Sequence, residues 1–280
     1  GLATKNTCRG NKVHGIHLGD QAQPTLETNT CKENQDCGIA YFGSASGVAR
    51  NNTCCRNRAS GVYVGEEAQP TLEANICQEN ERSGIAYLGS ASGVARNNTC
   101  CRNKGNGIYV GQKAHPTLEG NTCEENEWSG IAYLGSASGV ARNNTCCRNK
   151  GNGIYVGEKA QPTLEGNACQ ENKYPGIAYV GSAAGVARNN TCSRNKGHGI
   201  YVGEKAQPTL EANTCQENEG WGIIWQGAAF RGAVRRNTVV GNQAGGYWGC
   251  SMVVLVGLAL GFGGKLVWNA IWEAVIRFWS

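Results

Sequence analysis

The chain has 280 residues and a formal net charge of +5, with abundant glycine (41) and cysteine (15) and little proline (6). The scarcity of proline argues against a disordered or collagen-like chain. Lysine and arginine are spread along the chain rather than clustered, so we predict no nucleic-acid partner.

Ten cysteines recur at intervals of 23 residues and define an internal repeat. Each has an asparagine two residues before it, another asparagine three residues after it and a glycine seven residues after it. The cysteines are Cys8, Cys31, Cys54, Cys77, Cys100, Cys123, Cys146, Cys169, Cys192 and Cys215. A further coil follows a one-residue insertion and contains Asn237 and Asn242.

A repeat of 23 residues is shorter than a helical-hairpin repeat, which needs about 33 residues. Residues 107–110 and their copies alternate in polarity as strands do, and residues 116–121 carry turn-forming side chains. We therefore predict an all-β, single-stranded parallel β-helix of about 11 coils over residues 1–246. Coils stacked about 4.8 Å apart make a rod on the order of 50 Å long.

Stacking accounts for the repeated columns. We expect the cysteines to point inward as buried, reduced thiols. We expect the asparagines to lie at turns, where they tolerate a left-handed backbone and bond to the next asparagine. The glycines would mark a corner that excludes a side chain or a negative φ. Tyr41 and its copies should be half-buried, and Cys55, Cys101 and Cys147 should point outward.

Most glutamates lie in two files that alternate with arginine from coil to coil, so neighbouring charges attract. We interpret both files as ion-pair ladders. The first is Glu27, Arg50, Glu73, Arg96, Glu119, Arg142, Glu165, Arg188 and Glu211. The second is Glu33, Arg56, Glu79, Arg102, Glu125, Arg148, Glu171, Arg194 and Glu217.

A 46-residue period overlies the 23-residue one, and residues 116–122 and 129–133 with their copies carry it. These stretches resemble the right-handed parallel β-helix proteins, which include pectate-lyase-like, carbohydrate-binding and sugar-hydrolase members. The resemblance covers residues 1–246 and, with the chirality of parallel crossovers, implies a right-handed helix. It implies activity on acidic sugars through Asp, Lys and Arg clusters. With only Asp20 and Asp36 present, no acid–base pair stands out.

A linear cysteine file cannot surround a tetrahedral metal ion, and the four histidines form no metal-spaced cluster. We therefore predict no metal, no cofactor and no catalytic residues. The candidate binding face is an outward row of tyrosines about 10 Å apart, which could stack on sugar rings, dock a partner or simply pack on the alternating alanines. The row is Tyr63, Tyr109, Tyr155 and Tyr201.

Residues 247–280 are apolar and predict a C-terminal hydrophobic helix that spans a membrane, caps the solenoid or plugs a neighbouring subunit. Trp248, Trp268 and Trp272 would suit the membrane interfaces, and Gly257 and Gly261 form a helix-packing face.

The predicted function is a non-catalytic scaffold or interaction protein tethered to a membrane or membrane complex, with its β-helix outside the cytoplasm. Near-identical coils favour this function over an enzyme, because an active site needs unlike residues in one cleft. One alternative is a filament subunit that stacks end to end with other copies. The other is a carbohydrate-binding or carbohydrate-processing protein, with polysaccharide lyase or hydrolase activity and a glycan partner.

Overall fold

A computed structural model describes residues 1–227 and 230–249. The chain winds through eleven coils, each of which adds one strand to each of three parallel sheets. The first sheet contains β1 (Leu2–Thr4), β4 (Thr25–Glu27), β7 (Val48–Arg50), β10 (Thr71–Glu73), β13 (Val94–Arg96), β16 (Thr117–Glu119), β19 (Val140–Arg142), β22 (Thr163–Glu165), β25 (Val186–Arg188), β28 (Thr209–Glu211) and β31 (Val234–Arg235).

The second sheet contains β2 (Thr7–Arg9), β5 (Thr30–Lys32), β8 (Thr53–Cys55), β11 (Ile76–Gln78), β14 (Thr99–Cys101), β17 (Thr122–Glu124), β20 (Thr145–Cys147), β23 (Ala168–Gln170), β26 (Thr191–Ser193), β29 (Thr214–Gln216) and β32 (Thr238–Val240). The third contains β3 (Ile16–Leu18), β6 (Ile39–Tyr41), β9 (Val62–Val64), β12 (Ile85–Tyr87), β15 (Ile108–Val110), β18 (Ile131–Tyr133), β21 (Ile154–Val156), β24 (Ile177–Tyr179), β27 (Ile200–Val202), β30 (Trp221–Trp225) and β33 (Gly245–Gly249). The predicted parallel β-helix is confirmed.

The core is a stack of identical columns. Cys77 pairs in register with Cys54 on one side and Cys100 on the other, and all three are fully buried. Every described cysteine is a free thiol, which agrees with the prediction made for the inward column. Cys101 and its two copies occupy outward positions but are only 4–6% exposed, because the long side chains of neighbouring coils cover them.

Two asparagine ladders run the length of the solenoid. The Asn98 amide donates to Asn121 Oδ1 at 2.9 Å and to the Leu72 carbonyl at 2.9 Å, so its buried amide hydrogens are satisfied. The predicted asparagine-to-asparagine bonds are confirmed. The left-handed backbone lies one residue earlier, for example at Asn97 with φ of 56°. The ladder asparagines are therefore selected for their amides rather than for their backbone conformation.

The glycine column is selected for close packing. A Cβ on Gly38 would lie 2.6 Å from the Gly61 carbonyl oxygen and 3.0 Å from Cys54 Cβ. Gly38 has no positive φ, so the expectation of a position that excludes negative φ is wrong, whereas the expected exclusion of a side chain is right.

Both charged files form ion pairs across successive coils. In the first file Arg142 pairs with Glu119 at 3.1 Å, and in the second Arg102 pairs with Glu79 at 3.5 Å and with Glu125 at 4.0 Å. These side chains are about 40–49% exposed, so each pair contributes roughly 0.2–1 kcal/mol and chiefly fixes the coil register.

Four tyrosines expected to be half-buried lie wholly inside the solenoid. They are Tyr41, Tyr87, Tyr133 and Tyr179. The first and last residues of each third-sheet strand point inward, so these tyrosines share an inward column with the valines of the odd-numbered coils. None of the four hydroxyls has a hydrogen-bond partner.

The last described strand, β33, continues the third sheet through Trp248 to Gly249. The predicted C-terminal helix lies outside the described residues, apart from this strand. Across residues 1–227 and 230–249 there is no helix of the length and apolarity needed to cross a membrane.

Candidate functional site

The outer face of the third sheet carries a single column in which tyrosine and alanine alternate. Tyr63, Ala86, Tyr109 and Ala132 are in register on consecutive strands. The tyrosines are half-buried and the alanines between them are nearly buried. The predicted row therefore exists, with its rings two strand spacings, or about 10 Å, apart.

Each tyrosine ring lies down over a glycine two residues later in its own coil. A Cβ on Gly65 would lie 2.5 Å from Tyr63 Cε1, and one on Gly111 would lie 2.8 Å from Tyr109 Cε1. These glycines have no positive φ, so their role is to leave space for the ring. The absence of a side chain lets the ring lie against the sheet and expose its other face.

In the alternate coils a large side chain replaces the glycine and stands between successive rings. These side chains include Phe42, Leu88 and Leu134. The rings of Phe42 and Tyr63 are 5.2 Å apart, and His17 stacks on the other side of Phe42 at 5.0 Å. The outer face of the third sheet is therefore a continuous apolar and aromatic strip.

The turns between the second and third sheets form a wall along one side of this strip. We call this wall the loop rim. It comprises residues 12–14, 58–60, 104–106, 150–152 and 196–198 in odd-numbered coils, and 35–37, 81–83, 127–129 and 173–175 in even-numbered coils. Trp128 and Tyr174 project from it and are 64% and 53% exposed.

The strip and the loop rim enclose a long groove, the third-sheet groove. Its larger part has a volume of about 660 Å³ and extends from His14 past Tyr63 and Tyr109 to Trp128. A second part of about 480 Å³ continues past Trp128 and Tyr155 to Tyr174. From His14 to Tyr174 the groove crosses eight coils, or roughly 34 Å at about 4.8 Å per strand spacing.

Charged groups line the middle of the groove. Lys104 pairs with Glu81 at 2.7 Å, and Lys150 pairs with Glu127 at 2.7 Å one repeat further on. Arg82 is exposed and has no ion-pair partner within the described part of the chain. Its positive charge is therefore available to a ligand.

The N-terminal end of the groove brings His14, Asp36 and Cys37 together, with one donor atom from each lying within 4.8 Å of the others. Burial raises the pKa of the Cys37 thiol to about 12. Burial lowers the pKa of His14 against the opposing attraction of Asp36. Sequence spacing did not reveal this cluster, because His14 belongs to one coil and the other two residues to the next.

The most variable stretch of the even-numbered coils lines the groove. Coils two, four, six and eight vary most at residues 35–37, 81–83, 127–129 and 173–175, and they also differ at the positions of Lys32, Phe42 and Ser46. All of these loop-rim positions except 35 and the last coil's 173 and 175 line one of the two groove cavities. A comparison of the 46-residue repeats with one another would have found them.

The predicted binding residues divide into three groups. Tyr63 and Tyr109 line the larger part of the groove and Tyr155 the smaller part. Tyr201 lies in the same column beyond both, and its hydroxyl donates to Gln226 Oε1 at 2.8 Å. Trp248, predicted to anchor a membrane segment, lies in this column as well and is 39% exposed. Gly257, Gly261, Trp268 and Trp272 lie outside the described residues.

The chain belongs to the right-handed β-helix family. The family model, described as "Right handed beta helix region", matches residues 14–168 and 117–254. No curated protein sequence matches the chain. The expected resemblance and the overall fold are therefore confirmed.

Several solved structures resemble the chain at low identity. A mutant form of the periplasmic alginate epimerase AlgG aligns over 82% of this chain and 70% of its own, with 12% identity and a TM-score of 0.65. AlgG itself aligns over 81% and 63%, with 14% identity and a TM-score of 0.62. The catalytic unit of a GH87 α-1,3-glucanase from Streptomyces thermodiastaticus aligns over 88% and 60%, with 14% identity and a TM-score of 0.48.

These comparisons correct the predicted function. The prediction of a non-catalytic, membrane-tethered scaffold that is not an enzyme is wrong, because the AlgG structures that resemble the chain are of an enzyme, an alginate epimerase. The prediction assumed that near-identical coils cannot gather unlike residues in one cleft. The loop rim does gather them, since it is the part of each coil that varies.

Proposed function

We propose that the chain is a carbohydrate-active β-helix protein that binds an extended sugar chain in the third-sheet groove. The observation that carries this proposal is the row of tyrosine rings lying flat beside a charged loop rim. Sugar rings have apolar C–H faces and hydroxylated edges. A groove with an aromatic floor and a polar wall is complementary to both.

The spacing of the rings supports a polymeric ligand. Tyr63, Tyr109 and Tyr155 are each two coils apart, about 10 Å, which is comparable to two sugars of an extended chain. Successive tyrosine rings would then contact alternate sugars of the chain, and the side chains of Leu88 and Leu134 would lie beneath the sugars between those. The roughly 34 Å of groove suits an oligosaccharide rather than a single sugar.

The polar groups at the centre of the groove support a processing activity. The Glu81 carboxylate and the Lys104 ammonium lie beside Tyr109 on the loop rim, and such groups serve as general acids and bases. Arg82 can pair with a negatively charged group on the sugar. The periplasmic location given for AlgG supports an extracytoplasmic location for this chain.

The first test is glycan binding by the full chain and by the Tyr109→Ala, Tyr155→Ala double variant on an oligosaccharide array. Alanine already occupies this column at Ala86 and Ala132, so the fold should be unaffected. Two lost aromatic contacts at about 0.5–1.5 kcal/mol each predict roughly 5- to 150-fold weaker binding.

The control is Ile76→Ala, which truncates an exposed apolar residue on the second sheet, in a column where Ala168 occurs naturally. This variant should bind glycans as the unmodified chain does. The binding proposal fails if no glycan is retained, or if both variants bind as well as the unmodified chain.

The second test measures product formation on whichever glycan the array retains. Glu81→Gln places at this position the residue that Gln35 supplies two coils earlier, so binding should persist. Loss of a general acid or base predicts turnover reduced by about 10²–10⁴-fold. Unchanged turnover in Glu81→Gln would exclude Glu81 from proton transfer.

A further inference from the structure

His14, Asp36 and Cys37 form a compact set of three different metal-binding side chains. His14 Nδ1 lies 3.8 Å from Asp36 Oδ2, and Cys37 Sγ lies 3.4 Å from Asp36 Oδ1. Ligand atoms about 2.0–2.3 Å from a tetrahedral zinc ion are about 3.3–3.8 Å from one another. Each of these two separations, one to each Asp36 oxygen, falls in the range expected for two ligands of one ion, and one donor atom from each of the three residues lies within 4.8 Å of the others.

Asp36 and Cys37 each occur once at their repeat position, and His14 is matched only by His198. The His14 position holds Ser60, Asn106 and Asn152 in the next three odd coils and a histidine again at His198. Asp36 is one of only two aspartates in the chain. Cys37 stands where coils four and six have serine. Stacking of the solenoid needs none of the three, because the other coils stack without them.

The surroundings of the cluster hold its side chains in place. Cys37 is 4% exposed and receives a backbone hydrogen bond from Ser60. His14 stacks on His17 with their ring centres 5.5 Å apart, which fixes the plane of the imidazole. Supporting contacts of this kind orient metal ligands and tune the metal.

His14 also has a structural contact that an ion would replace. Its Nδ1 accepts a hydrogen bond from the Cys37 N–H at 3.4 Å. In later coils the Asn106 side chain accepts the Ser129 N–H at 3.1 Å, and His198 accepts the Trp221 N–H at 2.9 Å. The bond to His14 is the longest of the three and therefore the weakest to give up.

We propose that His14, Asp36 and Cys37 bind a thiophilic divalent cation, of which Zn²⁺ is the best match, at the N-terminal end of the third-sheet groove. The mixture of imidazole nitrogen, thiolate sulfur and carboxylate oxygen favours zinc over calcium or magnesium, which prefer oxygen ligands alone. Three protein ligands leave the fourth position open toward the groove, where a water molecule or a sugar hydroxyl could bind.

The test is titration of the reduced, chelator-treated full chain with Co²⁺ near neutral pH, followed by absorption spectroscopy. A thiolate-to-cobalt band should saturate at one equivalent and disappear on addition of Zn²⁺. Cys37→Ser should abolish the band. Loss of a supporting contact costs about 10–100-fold in metal affinity, so loss of a direct ligand in His14→Asn or Asp36→Ala should cost at least as much.

Each replacement occurs naturally at the same repeat position in another coil, so the variants should fold. Ser83 corresponds to Cys37→Ser, Asn106 to His14→Asn and Ala59 to Asp36→Ala. The control is Cys147→Ser, whose thiol lies 3.8 Å from a Glu124 oxygen and whose column contains a natural serine; it should leave the band intact. The proposal is overturned if no thiolate band forms, or if Cys37→Ser retains it. Because the readout needs no sugar, it is independent of the glycan-binding tests.

Discussion

Removing one amide from the centre of an asparagine ladder should strongly destabilise the solenoid. Asn121 Oδ1 accepts hydrogen bonds from the backbone N–H of Asn98 at 3.0 Å and from the Asn98 amide at 2.9 Å. The Asn121 amide donates to the Ala95 carbonyl at 2.8 Å and to Asn144 Oδ1 at 2.9 Å. Asn121→Ala removes all four bonds.

The size of the destabilisation depends on which polar groups lose their only hydrogen-bond partner. The Asn144 oxygen keeps the bond from the Asn121 N–H, whereas the Asn98 N–H and one Asn98 amide hydrogen are orphaned in a fully buried position. Each orphaned donor costs about 1–3 kcal/mol, so we expect a loss of about 2–6 kcal/mol in the free energy of unfolding. That is a large part of the roughly 5–15 kcal/mol of a typical domain.

Urea unfolding followed by circular dichroism measures this loss, and Asn6→Ala provides a matched control in the same column. The Asn6 side chain is exposed and makes one hydrogen bond, to Asn29 Oδ1 at 2.9 Å, so its removal orphans no donor. We expect the control to cost about 0.5–1.5 kcal/mol. Equal losses in the two variants would refute the argument that buried amide satisfaction holds the coils together.

Two further predictions concern buried groups. Tyr133→Phe should raise the free energy of unfolding by about 1–3 kcal/mol, because the Tyr133 hydroxyl is buried without a hydrogen-bond partner. Tyr109→Phe, in the half-buried outward row, should change this free energy little. Urea unfolding of both variants measures the difference. Burial lowers the pKa of His198 below its ordinary value of 6.5, and its Nδ1 accepts the Trp221 N–H, so the unfolded chain binds a proton more readily than the folded chain. The free energy of unfolding should therefore fall as the pH drops below 6.5. Thermal unfolding scans should show a smaller fall for His198→Asn.

Most of the fold could be predicted because stacking forces repetition. A side chain that contacts its own copies above and below must suit them, so Cys77, Asn98 and the charged files recur at 23 residues. What the period cannot give is the path of the backbone within a coil. For this reason the left-handed residue was misassigned to the ladder asparagine rather than to Asn97, and Tyr87 was expected to be half-buried whereas it lies in the core.

The candidate site was predicted only in its repetitive part. Tyr63 and Tyr109 recur every 46 residues and could therefore be recognised as a row. Arg82, Trp128 and their neighbours on the loop rim do not recur, and an argument built on recurrence treats them as noise. The His14, Asp36 and Cys37 cluster was missed for a related reason, since His14 is 22 and 23 residues from the other two and meets them only when coils stack.

Repetition and function are therefore separated within each coil of this solenoid. The inward columns and the ladders must repeat, because each contacts its own copy about 4.8 Å away. The loop rim is less constrained, so the even-numbered coils can place different side chains there. Along the groove, Asp36, Arg82, Trp128 and Tyr174 follow one another at two-coil intervals. A polymer lying in the groove would meet a carboxylate, a positively charged guanidinium and two aromatic rings in a fixed order. A sugar chain with distinct ends would therefore bind in one orientation. A single orientation places one particular bond at the reacting groups, so the protein could act on that bond selectively.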